Sequence, residues 1–533
     1  MTDGNDRKPA DEKPPVKIGG GPETIRALAE AFSEGVLPDT YVAGGDLIHT
    51  EQVSGGLASV AADEDAPLPI AATVLNPANT AGLLAKHVYV YRRKTRKKEN
   101  GEVETYKEEC TPAQSSLASV LAAKTWPGVP PLLGIIGAPV LRRDGTLLQT
   151  PGYDPATGLF LASRVDLPPV PEKPSPEQVA EARSFLLHRF LRDFPWSSDA
   201  DRANYIALLA TPILRPFTRS LTPFAMIDAT MPASGKTILT GGPGMLYGQK
   251  ILIWPDAEDE LRKQITAVFT DQVGVVIWDN LPEGTVIDSA TLAALVTTGV
   301  WSDRPLGTSR SASTVNDRLW LCTGNNLQVG GDMASRTVRV HLDPDMPRPE
   351  SRDQSKFGIP GLDQWITQPA NQMTVMRHLL VLVLDWTRAG ATKAAGLAMR
   401  QFTPWAQALG GLLEHHAIGG FLANMAEVRA VDEDEIRWRG FLACWHDRYG
   451  DKEMTAAELR ADGEPDHLNG IQVDRWDGQF ITGKNGKLPN PMYLGKLLTG
   501  QTGRWRGDYV IRRRMTDRGD RAWFKVERND DRA

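Results

Sequence analysis

The stretch FAMIDATMPASGKTIL, residues 224–239, constrains the fold of this 533-residue chain more than any other. An apolar run leads into a loop of small residues and then into Gly235, Lys236 and Thr237. Small residues let backbone N–H groups turn toward phosphate oxygens, a lysine reaches the β and γ oxygens, and a threonine hydroxyl ligates Mg²⁺. The stretch therefore predicts a strand, a phosphate-binding loop and a helix in an α/β fold that binds ATP with Mg²⁺.

The predicted phosphate-binding residues are continuous in sequence: Pro232, Ala233, Ser234, Gly235, Lys236, Thr237 and Ile238. The usual pattern begins with a glycine six residues before the lysine, and Thr230 stands there instead. Because threonine avoids positive φ, we expect it to restrict the loop. A chance Gly-Lys-Thr at the start of a helix is the alternative interpretation, so other residues have to support this one.

Three polar residues flank apolar, strand-like runs further along the chain. Asp279 ends the run VGVVIWD, Asn325 ends LWLCTGN, and Arg336 directly precedes TVRVHL. A carboxylate at a strand end can hold Mg²⁺ through water, so Thr237 and Asp279 are predicted metal ligands. An amide can orient the attacking water, and a guanidinium can reach the nucleotide of a neighbouring subunit. Each residue also has an ordinary structural interpretation. Asp279 suits a plain strand end, Asn325 a turn, and Arg336 a surface ion pair.

In this order, Lys236, Asp279, Asn325 and Arg336 resemble the Walker A, Walker B, sensor 1 and arginine-finger positions of AAA+ ATPases, and they are the predicted catalytic set. Their compact spacing is similar to that of superfamily 3 and MCM-like helicases of phages and mobile elements, including ATPases that accompany primases. The likeness covers about residues 199–343. It implies ATP hydrolysis by a homo-hexameric ring on single-stranded or forked DNA, with a primase or primase-polymerase as a further partner.

The chain departs from this family after the Walker B aspartate. Many AAA+ proteins place a water-activating glutamate there, and this chain has Asn280. An amide cannot take a proton as a base, so the general base stays open. Asp279 alone, the nearby Glu283, or Glu260 on a predicted helix are the alternatives. Each of the two glutamates could instead be an ordinary solvated residue with no role in catalysis.

Two basic segments are predicted to contact DNA. The first is the long stretch between Asp279 and Asn325, where the resemblance implies a hairpin that projects into the pore of the ring and carries Arg304 and Arg310. A plain surface loop is the alternative. The second is the C-terminal wing with Arg512, Arg513 and Arg514, because residues 493–528 hold ten Lys and Arg against four Asp and Glu. A wing used for protein contacts is the alternative there.

A third basic stretch is HVYVYRRKTRKKENGEVETYKEE, residues 87–109, whose alternating apolar positions and Asn-Gly turn predict a β-hairpin. Its arm carries six Lys and Arg residues. DNA contact is one interpretation. We favour the other, a solvated hairpin whose returning strand supplies acidic partners.

Composition and turn residues divide the chain into six segments. These are a disordered tail (1–21), an N-terminal mixed α/β domain (22–165), a proline-rich linker (166–176), an AAA+ core with leading helices (177–359), a helical lid (360–454) and a winged-helix domain (455–533). The tryptophans of the helical segment, among them Trp386, Trp438 and Trp445, are expected in the core rather than as platforms for DNA bases.

Charge and cysteine content limit the remaining choices. The formal net charge is −6, so contact with nucleic acid has to come from local basic surfaces. Three widely separated cysteines favour neither a disulfide framework nor a zinc site, which suits a reducing cytoplasm, and no apolar run is long enough for a membrane span. We expect a cytoplasmic replicative DNA helicase. An ATP-switched DNA-binding initiator or defence ATPase, and an AAA+ protein remodeller, are the alternatives.

Overall fold

The computed structural model describes residues 13–52, 70–163, 167–269, 271, 273–304, 312–344, 349–425, 433–468, 471–482, 487–506, 508–516 and 521–528. Residues 1–12 of the predicted tail and the predicted DNA contact Arg310 lie outside these ranges. Three large clusters of buried apolar side chains organise the described residues. One lies near the N-terminus, one surrounds the central sheet, and one lies near the C-terminus.

The described residues of the N-terminal segment form short strands and three helices. Its strands are β1 (Pro15–Lys17), β2 (Thr40–Ala43), β3 (Asp46–Gln52), β4 (Ile70–Val74), β5 (Tyr89–Lys97), β6 (Val103–Glu109), β7 (Gly134–Ile136), β8 (Val140–Leu141), β9 (Leu147–Leu148), β10 (Gly152–Asp154) and β11 (Leu159–Leu161). Its helices are α1 (Gly21–Ser33), α2 (Pro77–His87) and α3 (Gln114–Leu121). The described residues of this segment thus contain both strands and helices, and the predicted N-terminal domain stays a prediction.

Strands β5 and β6 form the predicted hairpin, with antiparallel pairing from Tyr91 opposite Glu109 to Lys97 opposite Val103. Acidic side chains of β6 neutralise basic side chains of β5. Lys94 lies 2.7 Å from Glu108, and Arg96 lies 2.7 Å from Glu104. The interpretation of this arm as a solvated hairpin with acidic partners is confirmed.

The central sheet follows. Its region contains β12 (Phe224–Ala229), β13 (Gln249–Leu252), β14 (Val275–Leu281), β15 (Val286–Ile287), β16 (Val300–Asp303), β17 (Ala312–Val315), β18 (Leu319–Asn325), β19 (Gln328–Val329) and β20 (Thr337–Leu342). The helices are α4 (Pro176–Phe185), α5 (Asp199–Thr218), α6 (Lys236–Tyr247), α7 (Glu258–Val268) and α8 (Ala290–Thr297), and a π-helical turn, Leu186–Phe190, follows α4.

Five strands pair in the order β13–β14–β18–β12–β20, and all four pairings are parallel. All six residues of β12 and the first four of β14 are buried, as expected for strands covered on both faces. The predicted α/β class is therefore confirmed, and the structure shows that its central sheet is parallel. Since β14, β18 and β12 are neighbours, the polar residues at their carboxyl ends meet at one edge.

Residues on the N-terminal side of the proline-rich segment also enter this core. Ala138, Leu141 and Val170 are buried in the same cluster as the central sheet, and β8 packs on α5. The cluster around the sheet thus draws on chain from both sides of residues 166–176. The domain boundary predicted there stays a prediction.

A helical segment covers the sheet further along the chain, with α9 (Leu362–Trp365), α10 (Pro369–Arg388) and α11 (Thr403–His415). Helix α10 contacts α4, α5, α6 and α11, and its apolar residues join the cluster around the sheet. Trp386 and Trp405 are fully buried. The expectation that Trp386 belongs to the core is confirmed.

The C-terminal segment has its own apolar cluster. It contains α12 (Glu433–Tyr449), β21 (Met454–Thr455), α13 (Ala456–Asp462), β22 (Asp466–Leu468), β23 (Ile471–Val473), α14 (Pro491–Gln501), β24 (Trp505–Arg506), β25 (Tyr509–Met515) and β26 (Ala522–Arg528). Four strands pair in the order β21–β26–β25–β24. Trp438 and Trp445 of α12 are buried here, which confirms their expected place in a core.

None of the helices in the described part of the chain combines the length and the apolar character that crossing a membrane requires.

The contact between α5 and α6 holds α6 against the core, and it depends on a glycine. A Cβ at Gly242 would overlap the hydroxyl of Tyr205, which is fully buried and donates a hydrogen bond to the Leu239 carbonyl at 2.8 Å. We expect Gly242→Ala to lower the free energy of unfolding by about 1–3 kcal/mol through overpacking. Urea unfolding of the purified chain measures this.

The neighbouring glycine supplies the control. A Cβ at Gly241 meets only Met245 Cε, at an ordinary contact distance of 3.5 Å. Gly241→Ala should leave stability unchanged or raise it by up to about 1 kcal/mol, since alanine favours a helix over glycine. Equal destabilisation by both substitutions would contradict the packing argument.

Candidate functional site

The loop between β12 and α6 has the backbone geometry of an anion site. Ala233 and Gly235 have left-handed φ values of 58° and 95°, and Gly235 is the N-cap of α6. Ser234 is fully buried, and its Oγ donates to the Met231 carbonyl at 2.5 Å. Backbone N–H groups in such turns, together with a helix N-terminus, favour a bound anion.

Thr230 does not restrict the loop in the way the sequence predicts. It is not among the residues with positive φ, because the left-handed turns fall at Ala233 and Gly235 instead. Its backbone N–H donates to the Leu342 carbonyl at 3.2 Å, and its hydroxyl donates to Asp343 Oδ1 at 2.9 Å. Thr230 therefore fixes the start of the loop to the end of β20.

Lys236 and Asn325, both predicted catalytic residues, are in direct contact. The Lys236 ammonium donates to Asn325 Oδ1 at 2.6 Å and to the Met231 carbonyl at 3.3 Å. Burial lowers the pKa of Lys236 from its usual value, and the charges of Asp228 and Asp279 oppose that shift. The lysine of the loop thus lies over the carboxyl ends of the neighbouring strands.

Asp279 is held by a residue that sequence analysis missed. Its Oδ1 accepts a hydrogen bond from Thr323 Oγ1 at 2.6 Å, and the same hydroxyl accepts one from the backbone N–H of Asn280 at 2.8 Å. The pairing of β14 with β18 shifts register between Trp278 and Leu281, as in a β-bulge. The sequence signal for Thr323 was its hydroxyl-bearing side chain within the otherwise apolar run LWLCTGN.

This irregularity gives a physical reason for Asn280. Its φ is 54°, in the left-handed region that asparagine tolerates better than most residues with a side chain. Glutamate at this position would be strained in the same backbone. The departure from the AAA+ pattern therefore accompanies a local change in strand geometry.

Thr237 and Asp279 offer oxygen atoms of the kind that Mg²⁺ prefers. Thr237 is exposed in the first turn of α6, and Asp279 is partly exposed at the end of β14. Asp279 also acts electrostatically on Lys236. A hydroxyl and a carboxylate beside a phosphate-binding loop fit a magnesium ion shared with phosphate oxygens.

Of the two glutamates considered as general base, Glu283 is at this edge of the sheet. Its Oε1 accepts a hydrogen bond from Asn326 Nδ2 at 2.8 Å, and Asn326 directly follows Asn325. The backbone N–H of Gly284 donates to the Asn325 carbonyl at 3.1 Å. Glu260, by contrast, accepts from Lys263 on its own helix at 3.3 Å.

Beneath the loop, Asp228 ties β12 to β20, and sequence analysis missed this residue as well. The carboxylate is fully buried and accepts two hydrogen bonds from Arg339 at 3.0 Å, with His341 Nδ1 also at 3.0 Å. Burial raises the pKa of Asp228, but the hydrogen bonds from His341 and Arg339 outweigh it and hold the pKa below its usual value. The sequence signal for Asp228 was a charged residue within the otherwise apolar run FAMIDA.

Arg336, the predicted arginine finger, contacts its own chain. Its guanidinium donates to the Ala293 carbonyl at 2.9 Å and to Asp332 Oδ2 at 3.1 Å, and its side chain is 17% exposed. In the described chain, none of its recorded contacts involves Lys236, Asp279 or Asn325. The structure therefore brings the other three predicted catalytic residues to one edge of the sheet without Arg336.

A cavity of about 120 Å³ adjoins the loop at Gly235 and Ile238. Its other lining residues come from the segment before β12 and the segment after β20: Arg189, Asp193, Phe194, Arg352, Gln354, Phe357, Ile359, Leu362 and Asp363. Asp193 Oδ2 accepts from the Gly358 N–H at 2.6 Å and so joins the two segments. Apolar walls next to an anion site suit the base of a nucleotide.

Strands β16 and β17 form an antiparallel hairpin between α8 and β18, where a hairpin was expected. Asp303 at its end makes two hydrogen bonds of 2.9 Å with Arg262 of α7. The bond with Arg262 is the main reason why the pKa of Asp303 falls to about 2. Arg304 directly follows β16 and is exposed, and Arg310 lies outside the described residues.

The three wing arginines differ in their surroundings. Arg512 Nε lies 2.9 Å from Glu527, and Arg514 lies 2.5 Å from Glu453. Arg513 between them is exposed, and its guanidinium lies 3.0 Å from the sulfur of Met515. Cross-strand acids therefore neutralise part of the positive charge counted in the sequence.

No protein-family model matches the chain, and no curated protein does. Among solved structures, the A-form apo C-terminal region of NrS-1 is 12% identical, with 82% of this chain and 96% of that chain covered and a TM-score of 0.34. The SCCmec type IV Cch active helicase is 9% identical, with 82% and 90% covered and a TM-score of 0.30. A JCV helicase is 15% identical, with 47% and 73% covered and a TM-score of 0.21. These TM-scores are too low for the likeness to bear on function.

Proposed function

We propose that this chain is an ATP-hydrolysing, ring-forming DNA motor and acts as a replicative DNA helicase of a phage or mobile element. The observation that carries the proposal is the contact between Lys236 and Asn325 above the carboxyl ends of adjacent strands. That contact places the lysine of a phosphate-binding loop next to a polar residue able to orient water. Asp279 and Thr237 add the oxygen ligands that Mg²⁺ requires.

In the proposed reaction, the backbone N–H groups of residues 233–238 and the Lys236 ammonium hold the triphosphate. The magnesium ion that accompanies ATP would be held by Thr237 and, through water, by Asp279, and it would neutralise charge developing on the phosphates. Thr323 keeps the Asp279 carboxylate oriented through its 2.6 Å hydrogen bond. Asn325 would position the attacking water after Lys236 turns toward the phosphates.

We assign the general base to Glu283. Its carboxylate is exposed and lies beside Asn326, one residue beyond the amide proposed to orient water. Asn280 cannot accept the proton, so a carboxylate from the loop after β14 supplies the missing function. Arg336 would serve the nucleotide of a neighbouring subunit once ring assembly releases it from Ala293 and Asp332.

DNA contact is assigned to two places. The β16–β17 hairpin with Arg304 and Arg310 would face the pore of a homo-hexamer. The C-terminal segment, with α12, α13, α14 and the β25–β26 hairpin, has the order of helices and strands of a winged helix, and its wing would contact DNA phosphates. A primase or primase-polymerase is the proposed partner that supplies primers on the unwound strand.

The first prediction concerns the phosphate-binding loop. Lys236→Ala should abolish ATP hydrolysis, because the charge opposite the β and γ phosphates is lost. An assay of phosphate release on a fluorescently labelled forked DNA measures hydrolysis and strand separation together, and a parallel reaction without DNA gives the basal rate of hydrolysis. Wild-type turnover in the variant would overturn the assignment of the loop.

The same assay separates the alternatives. DNA-stimulated hydrolysis with strand separation supports the helicase. DNA-stimulated hydrolysis without strand separation would indicate an initiator or defence ATPase, and stimulation by unfolded protein but not by DNA would indicate a remodeller.

The second prediction concerns the general base. Glu283→Gln should slow ATP hydrolysis by about 10²- to 10⁴-fold while nucleotide binding is kept, because only the proton acceptor is removed. Fluorescent-nucleotide binding and single-turnover hydrolysis measure the two effects separately. Glu260→Gln is the matched control, and equal rates for the two variants would exclude Glu283 as the base.

The third prediction concerns the wing. Arg513→Ala should weaken DNA binding almost equally for all sequences and reduce the slope of log K against log salt concentration by about 1, because one phosphate contact is lost. Arg514→Ala should change the slope less, since Glu453 already pairs with that guanidinium. Fluorescence anisotropy at several salt concentrations measures both. Identical, unchanged slopes would show that the wing does not bind DNA.

A further inference from the structure

A second group of metal-ligating side chains lies away from the phosphate-binding loop, where two helices of the helical segment end. Asp385 is in the last turn of α10, His415 is the last residue of α11, and His416 follows it. One ligand atom from each side chain lies within 4.8 Å of the other two. Two imidazoles and a carboxylate from two helices thus converge on one point.

The buried imidazole of His416 has one nitrogen in a hydrogen bond and one nitrogen that can bind a metal ion. His416 is 5% exposed, and its Nε2 lies 2.9 Å from the Leu382 carbonyl oxygen. A carbonyl oxygen only accepts, so Nε2 carries the hydrogen and Nδ1 of the neutral ring keeps its lone pair. Nδ1 faces Asp385 Oδ2 at 3.9 Å, which is too long for a hydrogen bond.

Protein metal sites commonly fix a ligating histidine in this manner, with the second ring nitrogen donating to a backbone carbonyl. The hydrogen bond to the Leu382 carbonyl therefore leaves Nδ1 as the ring nitrogen of His416 that can act as a ligand.

The other two side chains are accessible. His415 Nε2 lies 2.9 Å from Asp385 Oδ2, and these side chains are 32% and 31% exposed. The two histidine rings are nearly perpendicular, at 80°, with centroids 4.8 Å apart. Solvent reaches the cluster from this side, so an ion has a route in and water can complete its coordination.

We propose that Asp385, His415 and His416 bind one Zn²⁺ ion, with water as the fourth ligand. Imidazole nitrogen and carboxylate oxygen are ligands that zinc accepts, whereas Mg²⁺ prefers oxygen alone. With bonds of about 2.0–2.2 Å, the ligand atoms of a tetrahedral zinc site lie roughly 3.3 Å apart. Small rotations of the exposed Asp385 and His415 side chains are enough to reach that spacing.

The charges around the cluster set a limit on its affinity. Arg183 donates to the carbonyl oxygens of His416 at 2.7 Å and Ala417 at 3.3 Å. These bonds fix the backbone that carries the two histidines. The guanidinium also repels a cation, and the Asp385 carboxylate offsets this repulsion.

Such an ion would connect the ends of α10 and α11. Helix α10 contacts α4, α5 and the phosphate-binding helix α6. Because a ligand that binds only the folded state stabilises it, Zn²⁺ should raise the melting temperature of the segment that covers the sheet. The proposal does not depend on the nucleotide site, whose ligands are different residues.

The test uses the full chain after treatment with a chelator and transfer to metal-free buffer. Zn²⁺ should bind with one equivalent per chain by calorimetry and raise the melting temperature. Co²⁺ should give the visible absorption of a tetrahedral site, and added Zn²⁺ should remove it. His415→Gln and Asp385→Asn should each weaken Zn²⁺ binding by at least about tenfold.

The control is His188→Gln, which removes an exposed histidine from a different part of the chain and should leave binding unchanged. Equal loss in His188→Gln and His415→Gln, or unchanged binding in His415→Gln, would overturn the proposal. If either ligand variant fails to fold, the wild-type Co²⁺ spectrum decides, because absence of tetrahedral absorption also overturns it. In that outcome Asp385 and His415 form only a hydrogen-bonded pair.

Discussion

The parallel pairing of β14, β18 and β12 is the constraint on which the candidate site depends. Parallel strands bring their carboxyl ends to a single edge of the sheet. The strand order alone therefore makes residues that are distant in sequence neighbours in space. Two hydrogen bonds then refine the arrangement, one from Lys236 to Asn325 and one from Thr323 to Asp279. The first bond joins the first residue of α6 to the end of β18, and the second joins β18 to the end of β14. Loss of the strand order would scatter all four residues at once.

Local spacing explains why so much of this edge was predictable. A phosphate-binding loop needs small residues, a lysine and a hydroxyl within a few positions, and the apolar runs ending in Asp279 and Asn325 have the length and composition of buried strands. Each of these signals lies within about ten residues. The α/β class followed from these signals, and the structure confirms it.

What could not be predicted depends on contacts between distant segments. Thr323 orients Asp279 across two strands, and Asp228 pairs with residues of β20 more than one hundred positions away. The cavity beside Gly235 is lined from both ends of the sheet region. The charge count over residues 493–528 also could not include the ion pair of Arg514 with Glu453, which lies outside that stretch. The positive φ of Asn280 accompanies the register shift between β14 and β18, and the spacing of residues in the sequence does not indicate such a shift.

The pair between Asp303 and Arg262 has a mechanical consequence for the β16–β17 hairpin. The hairpin is joined to α7 by a bidentate bond at its far end as well as by the chain at its base, and Thr266 of α7 also donates to Asp303 at 2.8 Å. Displacing the hairpin relative to α7 would exchange these bonds for hydration, whereas the hairpin and α7 could move together with the bonds intact.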